Sequence, residues 1–129
     1  MATLKKGERL CSRIKIKELF EKGKSLYAPP IKLIWKKSNV NGPFPVQIVF
    51  AVPKKNIRKA VLRNKIKRRI REAYRNNKYL LNNDSSDKQL KCTAIFIFTG
   101  KEEISFKVIE IKIFELLMRL KHEYEKFDS

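Results

Sequence analysis

Residues 54–71, KKNIRKAVLRNKIKRRIR, hold ten lysines and arginines in eighteen positions and no acidic residue. Exposed cations of this density suit one kind of chemistry, the capture of a polyanion. Arginine can clamp a phosphate with its planar fork, and lysine acts as a point charge. Neutralised phosphates release counterions, so such contacts give affinity and salt dependence but little base readout. The remaining chemical inventory is thin. His122 is the sole histidine, Cys11 and Cys92 are the only cysteines, and no CxxC, HExxH, DxD or Walker glycine pattern occurs. No catalytic residue and no protein-held metal are therefore expected. The cations read as electrostatic support.

The basic run follows an apolar stretch, VQIVFAV, closed by Pro53. Half β-branched, that stretch reads as a central strand covered on both faces. Lys54, Lys55, Arg58 and Lys59 fall in the loop after it. A helical period then runs from Ala60 to about Tyr79. At ~100° per residue, Leu62, Ala73, Ile66, Ile70 and Tyr74 share an apolar stripe. Lys67, Arg71, Asn64, Arg75, Arg68 and Lys65 spread over the other side. Arg63 and Arg69 fall at the borders, where long stems can lie on apolar surface with their heads in water. Like charges at i, i+4, as in Arg63, Lys67, Arg71 and Arg75, weaken an isolated helix. A cationic face kept at that cost points to RNA or DNA phosphates, with open amides at the helix start adding to the attraction.

The whole chain has 129 residues, a formal net charge of +18 and 43% hydrophobic residues. One domain with a modest core follows. Residues 1–80 carry 23 Lys/Arg against 4 Asp/Glu, whereas residues 81–129 carry 8 against 9. The charge thus belongs to particular elements. The N-terminus has no apolar stretch and no run approaches a membrane span, so a cytoplasmic location and no membrane partner are expected. Two cysteines without a spacing pattern read as free thiols.

Before the basic segment, Ser12 can cap a first helix over 13–22, closed by Gly23. Ile16, Leu19 and Phe20 share its apolar face. IKLIW, residues 31–35, alternates as a strand, with Ile31, Leu33 and Trp35 on one side and Lys32 and Ile34 on the other. Residues 36–45 read as a turn, and the strands on either side are expected to form an antiparallel hairpin. After a polar loop over 82–91, CTAIFIF is a second apolar strand. A last helix spans about 105–124, with Phe106, Ile109, Ile113, Leu116, Leu117, Leu120 and Tyr124 on its packing face. Ile111, Phe114 and Met118 widen that face toward a second layer. The order is α-β-β-α-β-α with a further strand around 24–28, an α+β fold with helices against a mixed sheet. Residues 1–8 are expected to be a flexible basic arm, 9–125 the RNA-binding domain and 126–129 a frayed tail. Phe20, Tyr27, Trp35, Phe50, Phe96 and Phe98 read as core aromatics, with base stacking as the alternative.

On residues 60–75 the sequence resembles the protein subunit of bacterial ribonuclease P. The family's helix carries an Arg-Asn-Arg run, then Lys-Arg and Arg-Glu; here these stand as Arg63-Asn64-Lys65, Lys67-Arg68 and Arg71-Glu72. Phe20-Glu21-Lys22-Gly23, Ala51-Val52-Pro53-Lys54-Lys55, AIFIF and the last helix extend the likeness to about residues 9–125. The resemblance implies a small αβββαβα sandwich with a left-handed crossover through the basic helix. It implies a partner, a catalytic RNA that removes the 5′ leader of precursor tRNA by metal-assisted hydrolysis. Mg²⁺ would be bound mainly by that RNA and not held firmly by the protein, with no stable protein partner. Arg63, Asn64, Lys65, Lys67, Arg68 and Arg71 would face the RNA core, and Lys54 and Lys55 would border them. A leader-binding cleft would lie between the first helix and the sheet, with Phe20 at an aromatic position of the family.

The chain departs from that pattern in places. Lys65 replaces an arginine, the loop 56–59 is longer and lacks a glycine, and Arg69 stands where an aliphatic residue is common. Ile16 and Ile34 occupy cleft positions that many relatives fill with aromatics, so leader contacts are expected to rest less on stacking and more on charge. A structural RNA-binding protein of ribosomal type is the alternative reading.

Overall fold

The computed structural model describes residues 12–38, 46–81 and 90–128. Its elements are α1 (Arg13–Lys22), β1 (Lys24–Ala28), β2 (Ile31–Lys37), β3 (Val46–Ala51), α2 (Ala60–Asn77), a 3-10 turn (Lys78–Leu81), β4 (Cys92–Phe98) and α3 (Phe106–Asp128). The order is αβββαβα, and the extra strand around 24–28 is β1. Residues 1–8, the tip of the 36–45 turn and nearly all of the 82–91 loop lie outside the described residues.

The four strands form one mixed sheet in the order β1-β2-β4-β3. β1 and β2 pair antiparallel, as do β2 and β4, while β3 runs parallel to β4. The expected hairpin between the strands flanking 36–45 does not form, because β4 lies between β2 and β3. A long connection imposes no pairing. β4 is buried at all but one position and can satisfy its apolar run only between two neighbours. β3 was expected to be the covered central strand but takes the edge, and its burial alternates.

α2 and α3 pack on one face of the sheet. The core there joins Leu33, Trp35, Ile48, Phe50, Phe96 and Phe98 to Ile66, Ile70, Ala73 and Tyr74 of α2 and Ile109, Ile113, Leu116, Leu117 and Leu120 of α3. An aromatic knot locks α2 to the parallel pair. Phe50 and Phe96 stack with centroids 6.0 Å apart, and Tyr74 meets Phe50 edge-on at 5.8 Å. The stripe read from helical spacing thus faces the core, with Ile66, Ile70, Ala73 and Tyr74 buried and Leu62 half-buried at its start. It also includes Asn77, whose Nδ2 donates to Ala73 O at 2.8 Å.

α1 covers part of the other face, where Leu19, Ile34 and Ile95 make a small second core. Ser12 caps α1 through its side chain, accepting from the Lys15 amide at 3.3 Å. Gly23 ends it, donating to Leu19 O at 2.9 Å. Its φ of −72° is open to any residue, so left-handed backbone is not the reason for glycine here. A Cβ at Gly23 would collide with Leu19 O and Ile34 Cγ2. Close approach of helix end and strand requires the glycine.

α3 buries the packing face expected of it apart from Phe106, which is half-buried, and continues past Tyr124 to Asp128. Ile111, Phe114 and Met118 do not reach a second layer. They are exposed, because α3 has α2 and the sheet on one side only.

Candidate nucleic-acid interface

The loop between β3 and α2 is built around two anchors. Pro53 O accepts from the amides of Asn56 at 3.1 Å and Ile57 at 3.2 Å, closing a tight turn. Ile57 then inserts into the main core. The Asn56 side chain donates to Phe98 O at 3.2 Å, tying the turn to the end of β4. From the helix, Arg63 Nη1 donates to Ile57 O at 3.1 Å and Arg58 O at 2.7 Å. A buried isoleucine and a folded-back arginine thus hold a loop that has no glycine. Lys54, Lys55, Arg58 and Lys59 stand exposed on its outside. Lys59 is the N-cap of α2 and makes no side-chain capping bond to the first-turn amides.

On α2 the cations divide. Asn64 and Arg68 are fully on the surface, and Lys67 and Arg71 are partly exposed. Among the described residues, none of Lys67, Arg68 and Arg71 has a carboxylate partner. Arg75 pairs with Glu72 at 2.8 Å. Lys65 and Arg69 are claimed by Glu103, which follows β4: Lys65 Nζ lies 2.9 Å and Arg69 Nη1 3.0 Å from the same Oε1. Arg69 Nη1 also donates to Ile104 O at 2.7 Å. The head of Arg69, expected in water, is therefore held by the protein. The Lys65 hydrogen bond, followed by the charges of Lys65 and Arg69, pulls the Glu103 carboxyl below its usual range against some desolvation. The unpaired cationic face is narrower than helical spacing alone implies. Nothing in the sequence pointed to Glu103, which becomes a neighbour of α2 only through the fold.

The sheet face beside α1 carries the second group of expected residues. Register sets Ile34, Ile95 and Val49 in one cross-strand row and Tyr27, Lys32, Ile97 and Ala51 in the next. Ile34 is only 5% exposed, with Leu19 and Ile95 around it, so it forms a floor and offers little open surface. Ile16 is half-buried against the same cluster, whereas Phe20 is 57% exposed. Val49, Ala51 and Ile97 are the partly open apolar positions beside them. The β3 residues among them were missed because the strand was read as covered on both faces, although its period-two alternation holds the signal. Tyr27 is likewise exposed, with its hydroxyl 3.2 Å from Thr99 Oγ1.

Among the described residues, no three His, Cys, Asp or Glu side chains gather as metal ligands. No described helix is long and apolar enough to cross a membrane.

A family model described as Ribonuclease P matches residues 4–121 of this chain. The chain is 33% identical over 117 residues to the ribonuclease P protein component of Porphyromonas gingivalis, covering 91% of this chain and 85% of that one. It is 36% identical over 129 residues to the ribonuclease P protein component of Chlorobium phaeobacteroides, covering 92% and 88%. Its fold is similar to the solved RNase P protein from Thermotoga maritima, with a TM-score of 0.69 at 27% identity over 87% of this chain and 96% of that one.

Proposed function

This chain belongs to the ribonuclease P protein family, and on that premise we propose that it is the protein subunit that assists a catalytic RNA in removing the 5′ leader of precursor tRNA. The observation that carries the reading is the strip of Asn64, Lys67, Arg68 and Arg71. Asn64 and Arg68 are exposed and Lys67 and Arg71 partly exposed on a helix whose other side is locked into the core, and the three cations lack carboxylate partners among the described residues.

In this reading α2 lies against the partner RNA. Arg68 and Arg71 clamp phosphates, Lys67 adds a point charge, and Lys54, Lys55, Arg58 and Lys59 extend the contact along the loop. Arg63 acts through that loop. The leader runs along the sheet face beside α1, with the exposed Phe20 ring and the half-buried Ile16 at its side and Ile34 beneath. Hydrolysis would belong to the RNA, whose bound Mg²⁺ would supply activation of water and stabilisation of the leaving oxygen. The protein screens phosphate repulsion and holds the leader. The described residues support this reading by what they offer, outward cations on one element and a partly open apolar sheet face on another.

Multiple-turnover cleavage of 5′-labelled precursor tRNA by a bacterial catalytic RNA, at low Mg²⁺, tests the proposal. Strong stimulation by this chain, with cleavage at the mature 5′ end, is the expected result. Cleavage by the protein alone, or tight RNA binding without stimulation of RNA from the same source, would count against it.

A further inference from the structure

Two cations of α2 converge on one oxygen of the protein itself. Lys65 and Arg69, one helical turn apart, both lie within 3.0 Å of Glu103 Oε1. The Arg69 guanidinium is braced a second time by Ile104 O at 2.7 Å. Glu103 sits in the connection from β4 to α3, so its place depends on two packed elements. We infer that Glu103 is a specificity-determining residue: it fills, with a carboxylate, the anion site that Lys65 and Arg69 would otherwise offer to any RNA phosphate.

The geometry is that of a phosphate oxygen between a lysine and an arginine, with charge-assisted bonds of ordinary length. Indiscriminate attraction to polyanions scales with the number of cations free to neutralise phosphates. Specificity is a difference of affinities, and lowering the background raises it as surely as improving the cognate contact. Both borders of the cationic face are tied down. Arg63 is folded onto the loop at one edge, and Lys65 and Arg69 are paired with Glu103 at the other. Lys67, Arg68 and Arg71 remain between them. A partner RNA must match that narrow strip, while random RNA loses two of the contacts it could have made. The inference rests on α2 being the RNA-binding face.

The test is a salt series of binding by the full chain to a single-stranded oligouridylate and to the catalytic RNA. Variants are Glu103→Gln, Glu102→Gln, Lys65→Ala, Glu103→Gln with Lys65→Ala, and Arg68→Ala. Glu103→Gln is expected to tighten oligouridylate binding several-fold and to steepen log affinity against log salt by about one to two units. Its effect on the catalytic RNA is expected to be smaller. Glu102→Gln makes the same charge change on an exposed neighbour and is expected to do much less. Lys65→Ala alone is expected to leave the oligouridylate slope nearly unchanged, yet to remove about one unit in the Glu103→Gln background. Equal effects of Glu102→Gln and Glu103→Gln would overturn the inference, as would a full unit lost on Lys65→Ala alone. The latter measurement holds even if the Glu103 variant folds poorly. A flat response to Arg68→Ala would instead remove α2 as the RNA face, and the inference with it.

Discussion

Arg63 Nη1 donates to the backbone oxygen of Arg58 at 2.7 Å, and so a helical cation holds the loop that carries four others. The same nitrogen reaches Ile57 O. Arg63→Ala should free two carbonyls and loosen residues 54–59, costing about 1–2 kcal/mol. Faster amide exchange across 54–59, with RNA affinity reduced, is the expected outcome. Its effect on the salt slope should be smaller than that of Lys67→Ala, Arg68→Ala or Arg71→Ala, each up to about one unit.

Leu19 and Phe20 are adjacent but do different work. Leu19 is fully buried with Ile34 and Ile95, while Phe20 is exposed. Leu19→Ala should destabilise the fold by about 2–5 kcal/mol. Phe20→Ala should change stability by less than about 0.5 kcal/mol, yet weaken precursor tRNA with a long leader more than mature tRNA. Urea unfolding and paired binding titrations separate the two effects. A Phe20→Ala protein that binds both tRNAs as before would remove the ring from the leader path.

Gly23→Ala tests the close approach of α1 to β2. The added methyl meets Leu19 O and Ile34 Cγ2, neither of which is the free end of a long side chain. Overpacking of this kind should cost about 1–3 kcal/mol, read as a lowered midpoint of thermal unfolding. A neutral or stabilising result would mean that α1 can shift away from the sheet without loss.

Cys92 is buried in β4, and burial pushes its thiol up to about 12. In the unfolded chain a cysteine titrates near ~8.5. The folded state therefore binds more protons between the two values, and stability falls as pH rises through that window. Below it the group contributes no pH dependence. In a Cys11→Ser background, Cys92 should resist maleimide at pH 8 while folded and react once urea unfolds the chain. The alkaline loss of stability should be shallower in Cys92→Ala than in the parent. Rapid labelling of the native protein would contradict the burial of β4.

By itself the sequence determined the periodic elements, the stripe of Ile66, Ile70, Ala73 and Tyr74, and the helix that carries the cations. Hydrophobic spacing and charge are local properties, readable along one chain segment. The run 60–75 also held the family likeness, since those residues lie on one helix. Strand neighbours were not readable. The connection between β2 and β3 holds no pairing information, and only packing against two sheet faces makes β4 central and β3 an edge. Tertiary structure likewise decided that Gly23 serves close approach, that Ile34 is a floor, and that, among the described residues, Lys65 and Arg69 have a carboxylate partner while Lys67, Arg68 and Arg71 have none. Each of these outcomes depends on residues distant in the chain, such as Glu103 beside Lys65. A charge count records how many cations there are, but only the fold determines which of them remain free for another molecule.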